Sequence, residues 1–261
     1  MSSRELHDKV RRYLLERYEA LAREYGALPN QGREADGYDY TPEALALFPR
    51  YNVVDAVRVE IERLDPEHLP GEPELVAVLQ AAADATEYPF MRPQHGRIEK
   101  AAMDDERRRI RRFVADAQAA AVRQAPLPYR RVLSKTEADG VVQLLEARWG
   151  IVNKRWHPMI TSDVPEGVLV SSGDRFWDDT VQAEVRRVLL DQGRRRIFEL
   201  KEYGPEYLVD LDLFAPTYTG AEGIWTDQSA DWIVYASHED TTAFGGDIWA
   251  ALPAEWFGHD R

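Results

Sequence analysis

The sequence predicts an α+β protein: an all-helical region over residues 1–126, then a mixed, mostly antiparallel twisted sheet with flanking helices over residues 127–261. Three observations predict this division. The spacing of apolar residues changes from three or four residues to two after the first half of the chain. All seven tryptophans lie between Trp149 and Trp256. Two prolines within residues 125–128 mark the change, as is typical of a domain boundary.

Amphipathic segments account for the helical region. In the first of them, Leu6, Val10 and Leu14 recur every four residues, as on one buried face of a helix. Thr41 suits the N-cap of the second helix, which Pro49 is expected to interrupt because proline lacks an N–H donor. The predicted helices cover residues 6–25, 41–48, 53–64, 74–85 and 97–123, with loops at 29–40 and 87–96.

The second half combines short strands with helices. Ser134 and Glu137 form a capping box that begins a helix, and Gly150 ends it. Predicted helices cover residues 134–149, 177–192 and 248–257; predicted strands cover 129–133, 167–172, 195–203, 207–214, 223–227, 231–238 and 241–244. Residues 156–160 are a strand or an ordered loop. If strands 167–172 and 195–203 pair in parallel, the connection between them is a right-handed crossover.

The strand at 231–238 is expected to lie at the centre of the sheet. Its two faces carry Trp232 and Val234 on one side and Ile233 and Tyr235 on the other. Because both faces are apolar, the strand is expected to be covered on both sides. Trp232 and Trp225 are therefore predicted to be buried, and Trp149 to pack against the sheet from the end of its helix.

Composition narrows the classes of function. The chain has no cysteine, which excludes disulfides and thiolate metal sites. It has no apolar run of about 18 residues, so no membrane span is expected. The first residues lack the apolar core of a signal peptide, and a cytoplasmic location is expected. No phosphate-binding glycine loop or G-x-S-x-G motif is present, and no cofactor is expected.

The negative charge is concentrated near the C-terminus. Residues 201–261 contain 12 acidic and 2 basic residues, a net charge of −10 out of −13 for the whole chain. Such a field repels nucleic acid and attracts basic proteins, although solubility alone could also explain it. The sequence therefore predicts a non-catalytic protein that binds a basic partner, with its oligomeric state left open. Six acidic residues in turns and at strand ends are expected to form one binding cluster: Glu222, Asp227, Asp231, Glu239, Asp240 and Asp247.

An alternative interpretation is a metal-dependent hydrolase. Asp210 and Asp212 share one face of a predicted strand, and His238 could converge with them to bind a metal ion. His238 and Glu239 also lie at the corner between a strand and a turn. There, polar side chains often only stabilise the turn, so the structural interpretation is favoured.

A second alternative is a nuclease. Glu199 and Lys201 share a face of their strand, and an acid-x-Lys strand resembles part of the active site of restriction-endonuclease-like nucleases. The resemblance implies an additional acidic metal ligand upstream, for which this chain offers Asp174, Asp178, Asp179 and Asp191. The arginines at 107–112 could indicate nucleic-acid binding, but preceding acidic residues favour a solvated helix face with ion pairs.

A further resemblance lies within residues 217–246. The sequence from Asp231 to Glu239, followed by Phe244-Gly245-Gly246, resembles a strand-turn-strand signature in uncharacterised bacterial proteins. Some of those proteins are predicted immunity proteins of toxin conflict systems. The resemblance implies binding of a toxin through an acidic face, and it implies no catalytic residue.

Overall fold

The computed structural model describes residues 1–33, 39–85, 96–118, 125–160 and 163–257. The chain divides into two compact units, Met1–Leu127 and Pro128–Arg261, called here the helical unit and the sheet unit. In the described residues, six α-helices and a seven-stranded antiparallel sheet confirm the predicted α+β class. The predicted turn at 87–96, except for Gly96, and the end of the predicted helix at 119–123 lie outside the described residues.

The described part of the helical unit contains four α-helices around one apolar core. Each of two helices begins at a side-chain cap: the Ser2 hydroxyl accepts from the Glu5 N–H, and the Thr41 hydroxyl accepts from the Ala44 N–H. The helices are α1 (Ser3–Gly26), α2 (Pro42–Ile61), α3 (Glu72–Ala82) and α4 (Arg97–Ala117). Leu6, Val10 and Leu14 of α1 are buried in the core, as their spacing predicts.

Pro49 does not interrupt the second helix, so the predicted break is wrong. Residue 49 is buried inside the continuous helix α2. An internal proline costs about 3 kcal/mol because one hydrogen bond is lost. The next two turns bury Val53, Val54 and Val57 completely, and each buried valine contributes about 1.5–3 kcal/mol. The free energy gained by burying the valines that follow Pro49 therefore exceeds the cost of the lost hydrogen bond.

The helical unit also buries charged side chains. Arg11 and Glu62 form an ion pair at 2.8 Å, with both side chains almost fully buried. The carboxylate of Glu106 is fully buried and accepts from Arg17 at 2.8 Å and from Arg50 at 3.2 Å. These pairs join α1 to α2 and both helices to α4. The arginine run of α4 forms the expected helical ion pairs: Arg107 with Asp104, and Arg108 with Asp105.

The described part of the sheet unit contains seven strands and two α-helices, besides short 3-10 turns. The elements are β1 (Arg130–Val132), α5 (Lys135–Trp149), β2 (Val168–Ser172), α6 (Asp179–Asp191), β3 (Arg196–Lys201), β4 (Tyr207–Asp210), β5 (Gly223–Thr226), β6 (Trp232–Ser237) and β7 (Thr241–Gly246). Their order in the sheet is β1-β4-β3-β5-β6-β7-β2. Strands β2 and β3 are not neighbours, so the parallel pairing considered for them does not form. Only β5, β6 and β7 follow one another as a meander.

Strand β6 is buried along its whole length, which confirms its predicted central position. One face of the sheet packs on α5 through Ile224, Ile233 and Tyr235. On the other face, Phe244 contacts Phe176 and Phe257, and Trp225 contacts Phe214. Trp225 and Trp232 are 1% and 0% exposed, as predicted. Trp149 is partly buried against the α5 side of the sheet.

Several boundaries differ from the prediction. Strand β7 continues through Gly245, where a side-chain carbon would lie 2.7 Å from the Trp149 ring. That glycine allows a close approach of the ring rather than ending the strand. The predicted C-terminal helix is two short 3-10 turns, Trp249–Ala251 and Ala254–Trp256. For residues 156–160, the structure has turns, which agrees with the ordered-loop alternative and not with the strand.

Candidate functional site

The six predicted binding residues lie at opposite ends of the sheet, so the expectation of one cluster is wrong. Gly223 pairs with Ala236, and Ser237 pairs with Thr241, which places the start of β5 beside the β6–β7 turn. Trp232 pairs with Gly246 at the other end. One end, called here the turn end, carries Glu222, Glu239 and Asp240 together with His238. The opposite end, called here the arginine end, carries Asp227, Asp231 and Asp247.

At the arginine end the carboxylates are neutralised by two arginines. Arg194 contacts Asp227 at 3.0 Å and Asp247 at 3.2 Å. Arg148 of α5 forms an ion pair with Asp231. Burial alone would raise the pKa of Asp227, but hydrogen bonds from Ser229, Trp232 and Arg194 hold the pKa below its ordinary value. These three carboxylates therefore serve to hold turns and α5 in place.

At the turn end a buried carboxylate supports an exposed imidazole. Glu222 is 1% exposed, and its Oε1 lies 3.1 Å from the backbone nitrogen of His238 and 2.5 Å from the imidazole Nδ1. The other imidazole nitrogen, Nε2, lies 3.3 Å from the Glu239 carboxylate. The ring of Tyr218 lies beside the imidazole at 6.2 Å. The conformation of the β6–β7 turn therefore depends on a carboxylate contributed by the start of β5.

This arrangement raises the pKa of His238, chiefly through its hydrogen bond with Glu222 and further through the charges of Glu222, Glu239 and Glu202. Glu202 in turn forms an ion pair with Arg155, so this arginine is connected to the imidazole through the Glu202 carboxylate. Because the folded pKa lies above the unfolded value, the stabilising contribution is fully present below about pH 6.5 and is lost as pH rises through the folded pKa.

We expect His238→Gln to reduce the free energy of unfolding more at about pH 6 than at about pH 9, because only the protonated imidazole forms the ion pair. Urea unfolding at both pH values measures the difference. An NMR titration should show the pKa of His238 falling towards its ordinary value in Glu222→Gln. An equal stability loss at both pH values, with an unchanged pKa in the Glu222 variant, would contradict the ion pair.

An exposed tryptophan lies near the turn end. The backbone N–H of Gly173, which follows β2, donates to the Asp240 carbonyl at 2.8 Å. This contact joins the β6–β7 turn to the short 3-10 helix Gly173–Trp177. Trp177 at the end of that helix is 60% exposed. Three exposed carboxylates belong to the same segment, those of Asp174, Asp178 and Asp179.

The predicted metal ligands are not brought together. Asp210 is at the end of β4, where it forms an ion pair with Arg196 at 3.1 Å and accepts from the Tyr129 N–H at 2.7 Å. Asp212 is exposed in the next 3-10 turn, whereas His238 lies at the opposite end of the sheet. Over the residues that the structure describes, no group of three histidine or acidic side chains could hold a metal ion. Asp210, Asp212 and His238 therefore do not form the predicted metal site.

Glu199 and Lys201 do share a face of β3, but not with an acidic metal ligand. Glu199 forms an ion pair with Arg130 of β1 at 2.5 Å. The acidic residues considered for the nuclease lie on α6 or on the segment before it, and β2, from which that segment continues, is four strands away from β3. In the described residues, no group of three histidine or acidic side chains that could hold a metal ion includes Glu199, so the metal site that the resemblance implies is not formed there.

Three residues that matter for these surfaces could not be selected from the sequence. Arg194 and Arg148 neutralise the arginine end although they are distant in sequence from the residues they contact. Trp177 is exposed, although the sequence predicts that the tryptophans as a group belong to the core. A weak signal existed for Trp177, because it lies among Asp174, Asp178 and Asp179, where few apolar partners are available.

Comparison with known proteins adds no assignment. The chain matches no protein-family model, no curated protein and no solved structure. Among the described residues, every helix is too short or too polar to cross a membrane.

Proposed function

We propose that the sheet unit binds a basic protein through a surface at its turn end. This surface, called here the acidic turn surface, consists of Glu239, Asp240, Asp174, Asp178 and Asp179 around Trp177. The proposal assigns no catalytic step to the surface. It includes a cytoplasmic location and a protein partner rather than a nucleic acid, since clustered carboxylates repel phosphate groups.

The observation that supports this proposal most strongly is the difference between the two ends of the sheet. Arginines neutralise the carboxylates of the arginine end. Within residues 163–257, which the structure describes, Asp240 and the three aspartates of the 174–179 segment form no ion pair with a lysine or arginine. The acidic turn surface thus keeps its charge available to a partner, which speeds encounter and favours basic surfaces.

Trp177 supplies the apolar part of the surface. An indole that is 60% exposed has lost little of its hydration, so burying it against a partner would contribute binding free energy. Lysine and arginine are attracted to the face of an indole as well as to carboxylates. A basic partner could therefore engage Trp177 and the surrounding aspartates with the same side chains. The resemblance of residues 217–246 to predicted bacterial immunity proteins supports the same kind of partner.

Charge-changing variants test the proposal. The turn-end variant combines Glu239→Lys with Asp240→Asn; asparagine is chosen because residue 240 has a φ of 56°, which asparagine tolerates well. The matched control combines Asp247→Lys with Asp231→Asn at the arginine end and changes the net charge equally. The wild type and both variants are each immobilised and exposed to a native bacterial extract, and the proteins that they retain are identified. Each retained protein is then purified, and its binding to the wild type and to the variants is measured.

We expect the wild type and the control to retain the same basic protein, with affinity decreasing as salt increases. The turn-end variant should lose that protein. Equal retention by the two variants would place the interaction elsewhere, and loss from both would show that only total charge matters. Trp177→Ala should weaken binding of the purified partner without changing its salt dependence.

A further inference from the structure

The imidazole of His238 lies between two carboxylates, one of which belongs to the acidic turn surface. Its Nδ1 contacts Glu222, which is almost fully buried, and its Nε2 lies 3.3 Å from the Glu239 carboxylate. The ring of Tyr218 lies 6.2 Å from the imidazole. The His238 side chain is 43% exposed, so it exchanges protons freely with solvent. A carboxylate of the proposed binding surface is therefore also the partner of a titratable group.

The buried carboxylate determines which nitrogen of the imidazole loses its proton. An ionised carboxylate only accepts hydrogen bonds, so Nδ1 of His238 keeps its hydrogen towards Glu222 in both charge states of the ring. The proton that is gained and lost is the one on Nε2, the nitrogen that faces Glu239. In the protonated ring an N–H group faces the Glu239 carboxylate, whereas in the neutral ring a lone pair faces it. Deprotonation therefore removes the attraction between the ring and Glu239.

Among the described residues, the charged groups that face the imidazole are carboxylates from three elements. Glu222 precedes β5, Glu239 lies in the β6–β7 turn, and Glu202 follows β3, where it is paired with Arg155. The hydrogen bond with Glu222 is the largest cause of the raised pKa of His238, and with the three negative charges it outweighs the opposing effect of desolvation. The ring is therefore protonated below about pH 6.5 and becomes neutral as pH rises through the folded pKa.

The β6–β7 turn also has contacts that do not involve this proton. The backbone N–H of His238 donates to Glu222 at 3.1 Å, and the backbone N–H of Glu239 donates to the Ser237 hydroxyl at 3.1 Å. The hydroxyl of Tyr235 keeps its proton while the imidazole titrates, because burial and the Glu222 carboxylate raise the pKa of Tyr235. Titration of the imidazole therefore changes the charge beside Glu239 while the backbone of the turn stays held.

We propose that the acidic turn surface binds its basic partner more tightly when His238 is neutral than when it is protonated, an inference that rests on the proposed function. The protonated imidazole places a positive charge beside Glu239 and engages its carboxylate, so it opposes a lysine or arginine of the partner. The neutral ring does neither. Binding and protonation are linked in both directions, so a bound cation also weakens the affinity of His238 for its proton.

The pH dependence of binding to a simple cationic peptide tests the proposal on the full chain. The probe is hexaarginine with blocked termini, because guanidinium groups stay charged throughout the experiment. Calorimetry at low salt gives its dissociation constant at about pH 6 and about pH 9. His238→Gln removes the titrating group, and Glu222→Gln keeps the imidazole but removes its buried partner. The turn-end variant shows whether the probe occupies the acidic turn surface, and circular dichroism identifies a variant that fails to fold.

We expect the wild type to bind hexaarginine about fivefold more tightly at the higher pH, which is the effect of one unit charge close to a cation in water. His238→Gln should bind with equal affinity at both pH values. In Glu222→Gln, the midpoint of the affinity change should move to lower pH, together with the pKa of His238 measured by NMR. In the wild type, saturating hexaarginine should lower the pKa of His238, a result that needs no variant.

The outcomes separate this proposal from the proposed function. Hexaarginine binding that the turn-end variant loses, but that is equal at both pH values in the wild type, would overturn the regulation by His238 and leave the binding surface in place. The same pH dependence in His238→Gln as in the wild type would overturn the regulation too. Undiminished binding by the turn-end variant, or no binding by the wild type at either pH, would overturn both the surface and its regulation.

Discussion

Replacing Trp232 by alanine is expected to destabilise the sheet unit by about 3–5 kcal/mol, the range for deleting a large aromatic side chain from a core. Trp232 is fully buried, and its indole N–H donates to Asp227 at 2.7 Å while Arg194 lies over its ring. The substitution would leave a cavity and remove one hydrogen bond from a carboxylate. Urea unfolding followed by tryptophan fluorescence measures the change, because every tryptophan lies in this unit.

Trp177→Ala provides the control for this experiment. The same side chain is removed, but from a position that is 60% exposed, and the expected change is below about 0.5 kcal/mol. A loss below about 1 kcal/mol for Trp232→Ala would show that Trp232 faces solvent or a ligand. Similar losses for both tryptophans would contradict the difference in their burial.

Replacing Glu62 by alanine is expected to destabilise the helical unit by about 3–5 kcal/mol. The carboxylate is fully buried, and the Arg11 guanidinium that it contacts is 3% exposed. Removing the carboxylate takes away a buried counter-charge of the Arg11 guanidinium, and the weaker compensation of this desolvated charge is the main cost. Far-UV circular dichroism during urea unfolding reports on the helices of this unit.

A double variant separates the cost of weakening the compensation of the buried Arg11 charge from the cost of the lost packing. Arg11→Met with Glu62→Leu replaces both charges by apolar groups and is expected to be more stable than Glu62→Ala. Asp139→Ala removes one partner of an exposed pair, Lys135–Asp139, and should cost less than about 1 kcal/mol. If Glu62→Ala cost no more than Asp139→Ala, the Arg11–Glu62 pair would be solvated in solution.

Local patterns were sufficient to predict most elements but not their arrangement. The alternation of Trp232, Ile233 and Val234 marks a strand wherever it lies, and apolar residues on both faces mark it as central. The continuation of α2 through Pro49 depends on a core that other helices complete, which a local rule cannot include. The order of strands in the sheet likewise depends on pairings between distant segments, and the crossover considered for β2 and β3 failed for that reason.

The candidate site depended on the same distant pairings. The turn signals in the sequence identify Glu239 and Asp227 as acidic residues near strand ends. The end of the sheet at which each residue lies depends on the direction of its strand, and the strand register places the two residues at opposite ends of the sheet. The sequence also contains Arg194 without indicating that it contacts Asp227 and Asp247. A count of charges could therefore predict an acidic region but not which of its carboxylates remain available.

The two outermost strands have a consequence for the order in which the chain can fold. Among the described residues, β1, the earliest strand, pairs only with β4, and β2 pairs only with β7, the last of the seven strands. The pairing of β2 therefore cannot form until β7 is available. Such non-local pairings make folding slow, and they leave apolar strand edges uncovered until the last strand is available. During synthesis, the sheet unit cannot be completed until nearly all of its residues have left the ribosome.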